Sequence, residues 1–343
     1  MNPPPETELP PDVLLDVRGL TKHFPVYRPG IVRRQIGLVR AVENLSFSLR
    51  RGEALGLVGE SGSGKTTAAR CILRALRPTA GSVRFRARSG LVDLAKLPES
   101  ALKPLRQEMQ MIFQDPFSSL NPRMTVGDIV AEPLVIHRLA RGSELDDRVA
   151  DVLLRVGLKP EHRERYPHAF SGGQRQRIGI ARALIMRPAF IVADEAVSAL
   201  DVSVQAQVLN LLQDLGEEFG LTYLFVGHNL DVVRHFCDRV AVLYAGRLVE
   251  IAPADALFRS AAHPYTRELI AAVPQADPDV PMSFAVEGEI ADPSNLPPGC
   301  AFHPRCRECH APCRGEYPSL RALTPNHHTA CHLYPPSSAP WNP

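Results

Sequence analysis

Gly59-Glu60-Ser61-Gly62-Ser63-Gly64-Lys65-Thr66-Thr67 lies between an apolar run patterned as a buried strand, Ala54 to Val58, and a helix-like run, Ala68 to Leu76. The spacing Gly-x4-Gly-Lys-Ser/Thr, placed after a strand and before a helix, is that of a nucleotide-binding phosphate loop. Gly59, Gly62 and Gly64 let the backbone curl until successive amides point at phosphate oxygens, and a helix beginning near Lys65 adds its positive end. Lys65 supplies a point charge for the β and γ phosphates, and Thr66 offers a hydroxyl to Mg²⁺. Ser61 and Thr67 belong to the same cradle. The competing reading is a plain glycine turn, which the strand and the full spacing disfavour.

Bulk properties set limits around this loop. At 343 residues the chain exceeds the usual size of one hydrophobic core, so a large domain with a smaller appendage is expected. Hydrophobic residues make up 45% and charged residues 22%, and the formal charge of +2 gives no global field to attract nucleic acid. No apolar run approaches the roughly 20 residues that span a bilayer, and Met1 to Asp12 is proline-rich and acidic, unlike a secretory leader. These features predict a cytoplasmic chain with a disordered tail over residues 1–12.

Val13 to Phe24 reads as the first strand, followed by a turn and a basic insert. Arg28, Arg33, Arg34 and Arg40 occur there without an acidic residue before Glu43, the pattern of a loop facing a partner or anionic lipid, or of a solvated loop. Between Gln114 and Ser171 the pattern turns helical. Leu145, Val149, Val152, Leu153 and Val156 recur at helix spacing after Ser143, with Gly157 as a stop. Phe190 to Ala193 and Tyr223 to Val226 are short apolar runs suited to parallel strands covered on both faces, with helices Val204–Phe219 and Asp231–Phe236 as crossovers. Half of the 32 prolines fall after residue 252, which puts a domain boundary near Pro253.

Two further segments carry chemistry. Phe190 to Glu195 is an apolar strand ending in two carboxylates, which at the carboxyl edge of a sheet suits Asp194 to Mg²⁺ and Glu195 to the attacking water. Phe170-Ser171-Gly172-Gly173-Gln174 precedes a helix, Arg175 to Met186, with Ser171 placed as N-cap and the next amides unpaired. By itself each segment is also what a solvated acidic pair or a capped helix looks like.

Taken in order with His228 after a strand, these segments resemble ATP-binding-cassette ATPases over residues 13 to about 250, with Phe170 to Gln174 as the signature sequence. The resemblance implies an α/β fold: a P-loop NTPase-type, mostly parallel sheet core with an antiparallel β subdomain and an inserted helical subdomain over about 115–170. It implies two nucleotide domains packed head to tail, so that Ser171, Gly172, Gly173 and Gln174 contact ATP held mainly by the partner. Gln114 matches the glutamine that reaches Mg²⁺ and the attacking water and whose loop couples to membrane subunits. His228 matches the switch histidine, Asp201 the loop that crosses the dimer interface, and Phe24 the aromatic that stacks on adenine, with Tyr27 as competitor. The departures are Phe170, Ala196 and Asn229, where Leu, Pro and Asp are usual; none removes a group that touches phosphate.

Beyond residue 252 the chain resembles the C-terminal extension of oligopeptide and dipeptide importer ATPases. Gly299-Cys300-Ala301-Phe302-His303-Pro304-Arg305-Cys306 carries the likeness, with Cys313, Cys331, His263-Pro264-Tyr265-Thr266 and Gly288-Glu289-Ile290. Five of the seven cysteines crowd between Cys300 and Cys331, and the absence of a leader argues against a secreted disulfide framework. Four thiolates at Cys300, Cys306, Cys313 and Cys331 suit a four-iron cluster or a tetrahedral Zn²⁺, making residues 253–343 a small metal-binding extension. Cys309, His303, His310 and His332 are reserve ligands, while Cys71 and Cys237 read as buried small hydrophobes. The resemblance implies an ATP-hydrolysing subunit at the cytoplasmic face of the membrane. Its implied partners are a second cassette subunit, paralogue or self, two permease subunits and, through them, an extracytoplasmic substrate-binding protein. Peptide is the expected cargo; nickel or glutathione import, and a soluble non-transport cassette ATPase, are the alternatives.

Overall fold

The computed structural model describes residues 9–29, 34–273 and 291–335. The chain opens with a long antiparallel hairpin, β1 (Val13–Tyr27) and β2 (Gln35–Arg50), then enters the buried strand β3 (Ala54–Val58) and helix α1 (Lys65–Ile72) that flank the phosphate loop. Strands β4 (Ala80–Ala87) and β5 (Gly90–Asp93) return to the hairpin and complete a four-stranded antiparallel sheet in the order β2-β1-β4-β5.

Helix α2 (Glu99–Leu105) leads to β6 (Met109–Ile112). The helical region follows as α3 (Val126–His137), α4 (Ser143–Arg155) and, after two short 3₁₀ turns, α5 (Gly172–Leu184). Thr125 caps α3 reciprocally with Asp128, and α4 ends where Gly157 takes φ +73°. The chain then alternates β7 (Phe190–Asp194), α6 (Val202–Phe219), β8 (Thr222–Val226) and α7 (Leu230–Phe236). It closes with β9 (Arg239–Tyr244), β10 (Arg247–Pro253), α8 (Ala254–Arg259), α9 (Pro264–Ala271), β11 (Arg321–Thr324) and β12 (His327–Thr329).

The larger sheet has the order β11-β12-β10-β9-β3-β8-β7-β6, with β9, β3, β8, β7 and β6 parallel and the β10 end antiparallel. Its central strands β3, β7 and β8 are buried along their whole length and mostly apolar, because both faces are covered. Phe190, Val192, Leu224 and Val226 enter one core with Leu55, Leu57, α1 and the antiparallel sheet. Their neighbours Ile191, Ala193, Tyr223 and Phe225 enter a second core with the helices. The period of two thus divides each strand between two cores.

Three expectations meet a different structure. The basic segment is not a free loop: Arg40 lies in β2, paired with His23, and Arg34 accepts a backbone bond from Arg28, while Arg33 lies outside the described residues. The first described residues are tied down, since Leu9 is buried and its carbonyl accepts from Arg86 Nη2 at 2.8 Å; residues 1–8 of the expected tail lie outside the described residues. The extension continues the main sheet across residue 253, because Glu250 and Ile251 of β10 pair with Thr329 and His328 of β12. Tyr265, Ala301 and Phe302 belong to the helical core. Gly288 to Ile290 lie outside the described residues.

Candidate active site

The phosphate loop begins where β3 ends and curls under the β9–β10 turn. Gly59 has φ +148°, and a Cβ there would sit 2.2 Å from Leu243 O; Gly64, at φ +97°, would place one 2.1 Å from Ala41 O. Only glycine fits at these two contacts. Lys65 is buried, and its ammonium donates to Gly59 O at 2.8 Å and Glu60 O at 2.9 Å. Burial pushes its pKa down, against the opposing pull of Glu195, Asp194 and Glu60.

β7 delivers the carboxylates. Asp194 is buried and accepts from Thr66 Oγ1 at 2.9 Å. Burial raises its pKa, and the Thr66 hydrogen bond works the other way. The next residue leaves the strand abruptly: Glu195 has φ +49°, a left-handed conformation that costs a non-glycine residue about 1–3 kcal/mol. Its amide donates to Val226 O at 2.8 Å and its carbonyl accepts from Ser198 Oγ at 3.0 Å, so neighbouring loops hold the bend. The bend separates two adjacent carboxylates. Asp194 stays with Thr66, and Glu195 Oε2 accepts from Gln114 Nε2 at 2.7 Å and lies 3.2 Å from His228 Nδ1.

The structure therefore gathers Lys65, Thr66, Gln114, Asp194, Glu195 and His228 from four places in the sequence. An open cavity of about 590 Å³ above the loop is lined by Ser61, Gly62, Gly64, Lys65, Thr66, Thr67, Gln114, Glu195 and His228. Val39, Ala41 and Pro293 also line it, which no motif signals: Val39 and Ala41 come from β2, whose start falls in the basic segment that reads as a loop, and Pro293 arrives from the extension. Phe24 pairs directly with Val39 across β1 and β2, so the two share a sheet face at the cavity's rim. Phe24 and Tyr27 are both exposed, which removes a core role for either.

These residues fit a magnesium-bound nucleoside triphosphate. A buried ammonium faces the loop, and a hydroxyl and a buried carboxylate suited to Mg²⁺ lie in contact with each other. Ser171 to Gln174 do not line this cavity. They form the start of α5, with Ser171 exposed and Gly172, Gly173 and Gln174 half-buried, where Ser171 Oγ accepts from Gln174 N at 3.3 Å and Gln174 Oε1 accepts from Ser171 N at 3.1 Å. Gly173 lies against Val204, beside Asp201 at the start of α6, and Asp201 is exposed with no capping bond.

The cysteines of the extension lie within electrostatic reach of one another. Burial pushes the Cys300 thiol up to about 12, and the nearby thiols of Cys313, Cys331 and Cys306 add to it. Burial likewise pushes Cys306 up to about 11, and it raises Cys331. Among the described residues no group of three or more His, Cys, Asp or Glu side chains is placed to hold a metal ion, so the metal-binding part of the expectation lacks support. A proline-rich segment with little apolar content still needs a staple to order it. Packing supplies one instead: Phe302 meets Tyr244 and Tyr265 edge-on or tilted, and buried Glu250 accepts from Ala262 N and His263 N while its Oε1 lies 2.7 Å from His327 Nε2. Cys71 and Cys237 are free and buried, as expected of small hydrophobes.

Residues 42–198 match the ABC transporter family, and residues 249–313 match the oligopeptide/dipeptide transporter C-terminal region. The oligopeptide transport ATP-binding protein AppF of Bacillus subtilis (strain 168) is 47% identical over 327 residues, covering 94% of this chain and 98% of that protein. A probable peptide ABC transporter ATP-binding protein, y4tS, of Sinorhizobium fredii (strain NBRC 101917 / NGR234) is 49% identical over 329 residues, covering 96% of this chain and 92% of that protein. The solved dimeric post-hydrolysis state of the ATP-binding cassette MJ0796 bound to ADP and Pi aligns with a TM-score of 0.60 at 28% identity, over 70% of this chain and 99% of that one. Loop, carboxylates, signature and extension thus agree with sequence likeness along nearly the whole length, and the chain belongs to the ABC transporter ATPases, in the branch that carries the oligopeptide/dipeptide C-terminal region.

Proposed function

We propose that this chain is the ATP-hydrolysing subunit of an importer of di- and oligopeptides, bound peripherally at the cytoplasmic face of the membrane to two permease subunits. The observation that carries this reading is the position of Gln114. Its side chain binds Glu195 inside the nucleotide cavity, and its loop borders a second, outward cleft of about 780 Å³ lined by Phe113, Asp115, Glu132 and Arg182. Exposed Phe113 and Phe117 flank this loop, and Arg182 and Arg175 of α5 lie over their rings at 5.6 and 4.2 Å. A permease segment seated in that cleft would feel both Gln114 and the signature helix.

In this reading Gly59 to Thr67 cradle the triphosphate, with Lys65 turned from its loop carbonyls toward the β and γ phosphates. Mg²⁺, when bound, neutralises charge on those phosphates, and Thr66, Asp194 and Gln114 are the residues that would hold it. Glu195 orients and deprotonates the attacking water, and His228 steadies Glu195 and reaches the γ phosphate. Phe24 stacks on adenine. Ser171, Gly172, Gly173, Gln174 and Asp201 face the nucleotide of a second cassette chain, self or paralogue; the exposure of Ser171 and Asp201, the position of all five outside this chain's own cavity and the dimeric form of the MJ0796 cassette support that pairing. Among the described residues no helix is long and apolar enough to cross a membrane, so the membrane path is assigned to the permeases.

Copurification of the intact complex, followed by identification of the bound cargo, tests the proposal. Peptide is the expected ligand, received from an extracytoplasmic binding protein; nickel or glutathione would overturn the cargo assignment, and a chain that partners no permease would overturn transport. The iron–sulfur cluster or Zn²⁺ on Cys300, Cys306, Cys313 and Cys331 is the finer part of this proposal; the thiols lie within electrostatic reach of one another, but among the described residues they are not grouped closely enough to hold a metal. Anaerobically purified protein lacking iron, acid-labile sulfide and zinc would retire it.

A further inference from the structure

Glu60 is the one acidic residue of the phosphate loop, and residues from beyond the cassette core hold it on two sides. Its carboxylate takes a two-pronged bond from Arg305, Nη1 to Oε2 at 2.8 Å and Nη2 to Oε1 at 2.9 Å. Its amide donates to Tyr265 Oη at 2.9 Å. Its carbonyl accepts from Lys65 Nζ at 2.9 Å and from Ser63 N at 3.1 Å. Arg305 is 4% exposed and Glu60 19%, so this is a largely desolvated fork rather than a surface pair. The Arg305 guanidinium itself lies over the edge-on pair of Tyr244 and Phe302 rings, 5.7 Å from each centroid. Nearby, Pro293 of the same extension lines the nucleotide cavity and accepts from Arg40 N at 2.9 Å.

We infer that Arg305 is a positioning residue for nucleotide binding: through Glu60, the C-terminal extension fixes the phosphate loop in its binding shape and cancels the loop's own negative charge. This rests on the reading of the loop as the ATP site. Two physical effects follow. A glycine-rich loop loses much backbone freedom when it closes on a ligand, and a loop anchored in advance loses less. An unpaired Glu60 carboxylate would also repel an incoming triphosphate, and the Arg305 fork removes that repulsion. The cassette core thereby depends on a residue 245 positions away.

The test uses the full-length chain with Mg²⁺ and a fluorescent ATP analogue, comparing the wild type with R305A, R305K, E60Q and E60Q/R305A. Losing a desolvated, two-pronged pair that couples to a ligand should weaken binding in R305A roughly tenfold, with a smaller change in kcat at saturating ATP. R305K, which keeps the charge but not the fork, should fall between. E60Q/R305A should bind more tightly than R305A, because the unpaired anion is gone; a purely structural role would make the double variant the worst. E60Q leaves Arg305 seated on its rings, so it tests the anchor without disturbing that packing: hydrogen exchange at amides 59–64 in the nucleotide-free chain should quicken several-fold. Wild-type affinity in R305A, or unchanged exchange in E60Q, overturns the inference while leaving the ATP site intact. A wild-type chain that bound no analogue would overturn both.

Discussion

Replacing Glu195 by Gln is the sharpest probe of the proposed chemistry, because the structure predicts loss of one property and retention of the rest. Glu195 Oε2 is held by Gln114 Nε2 at 2.7 Å and lies 3.2 Å from His228 Nδ1, on a backbone bend fixed by Val226 and Ser198. Glutamine has the same length and volume, keeps an oxygen for the Gln114 donor and leaves the bend unchanged. It has no lone pair basic enough to take a proton from water. General-base assistance typically contributes about 10²–10⁴ in rate, or about 3–5 kcal/mol of barrier. Steady-state phosphate release should therefore fall at least roughly a hundredfold. Binding of a fluorescent ATP analogue should stay within about threefold of wild type, since phosphate contacts made by the loop are untouched. If the paired-chain geometry is right, ATP that binds without turnover should also hold two chains together, visible as a dimer by size-exclusion chromatography with ATP and absent with ADP. Turnover within tenfold of wild type would refute the role given to Glu195, and lost nucleotide binding would refute the claim that it acts on water alone.

Three further outcomes follow from other parts of the molecule. Burial holds the His263 imidazole neutral, with a pKa pushed down to about 4, while Glu250 and Arg267 are the charges that face it. The unfolded chain takes this proton near pH 6.5 and the folded chain does not, so stability should drop by about 3 kcal/mol as pH falls from roughly 6.5 to 4; H263N, which keeps the helix cap, should flatten that segment of a denaturation series, and an unchanged slope would exclude His263 as its source. Gly59→Ala must relieve a 2.2 Å contact with Leu243 O and a strained φ, at a combined cost of about 3 kcal/mol or more, and should abolish nucleotide binding while leaving the far-ultraviolet spectrum intact; wild-type affinity would mean that the loop reshapes freely. Phe24→Ala should weaken binding of an adenine nucleotide by about 1–3 kcal/mol, the scale of base–aromatic stacking, whereas Tyr27→Ala should not, and the reverse result would transfer the adenine contact to Tyr27.

What could be read from the sequence was what local pattern encodes. Ala54–Val58, Phe190–Asp194 and Thr222–Val226 are apolar because they are buried on both faces, and that requirement is written into consecutive residues. Ser143 to Gly157 shows its helix by spacing and its end by a glycine. Strand β2 escaped because it is half exposed: Arg34 and Arg40 belong to a hairpin whose stability comes from pairing with β1, and no periodicity in 28–40 reveals a partner strand. The extension escaped for the same reason at longer range. His328 pairs with Ile251, and Arg305 reaches Glu60 across 245 positions, so composition marked a boundary where the chain is physically continuous. The site residues were legible individually by motif, but the shared contact that unites Gln114, Glu195 and His228 depends on strands β6, β7 and β8 lying side by side, which only the fold supplies.

The opposite pKa displacements of Lys65 and Asp194 point to why such a site needs its ligand. Both groups are displaced first by burial, the ammonium downward and the carboxylate upward, so each is held where its charged form is disfavoured. A core selected only for stability would replace them with apolar groups of the same size. In the proposed complex a polyanion opposite Lys65 and a cation beside Asp194 and Thr66 supply both counter-charges together. The burial cost of the two charges is then offset by that one combination, which favours it over others. In the proposed site, adenine stacking would add affinity without discriminating the phosphate count, whereas Glu195, His228 and a partner's α5 terminus would act only where a γ phosphate is present. In the proposed pair of chains, the closing signal is thus the terminal phosphate itself, and its cleavage removes the one group that both halves share.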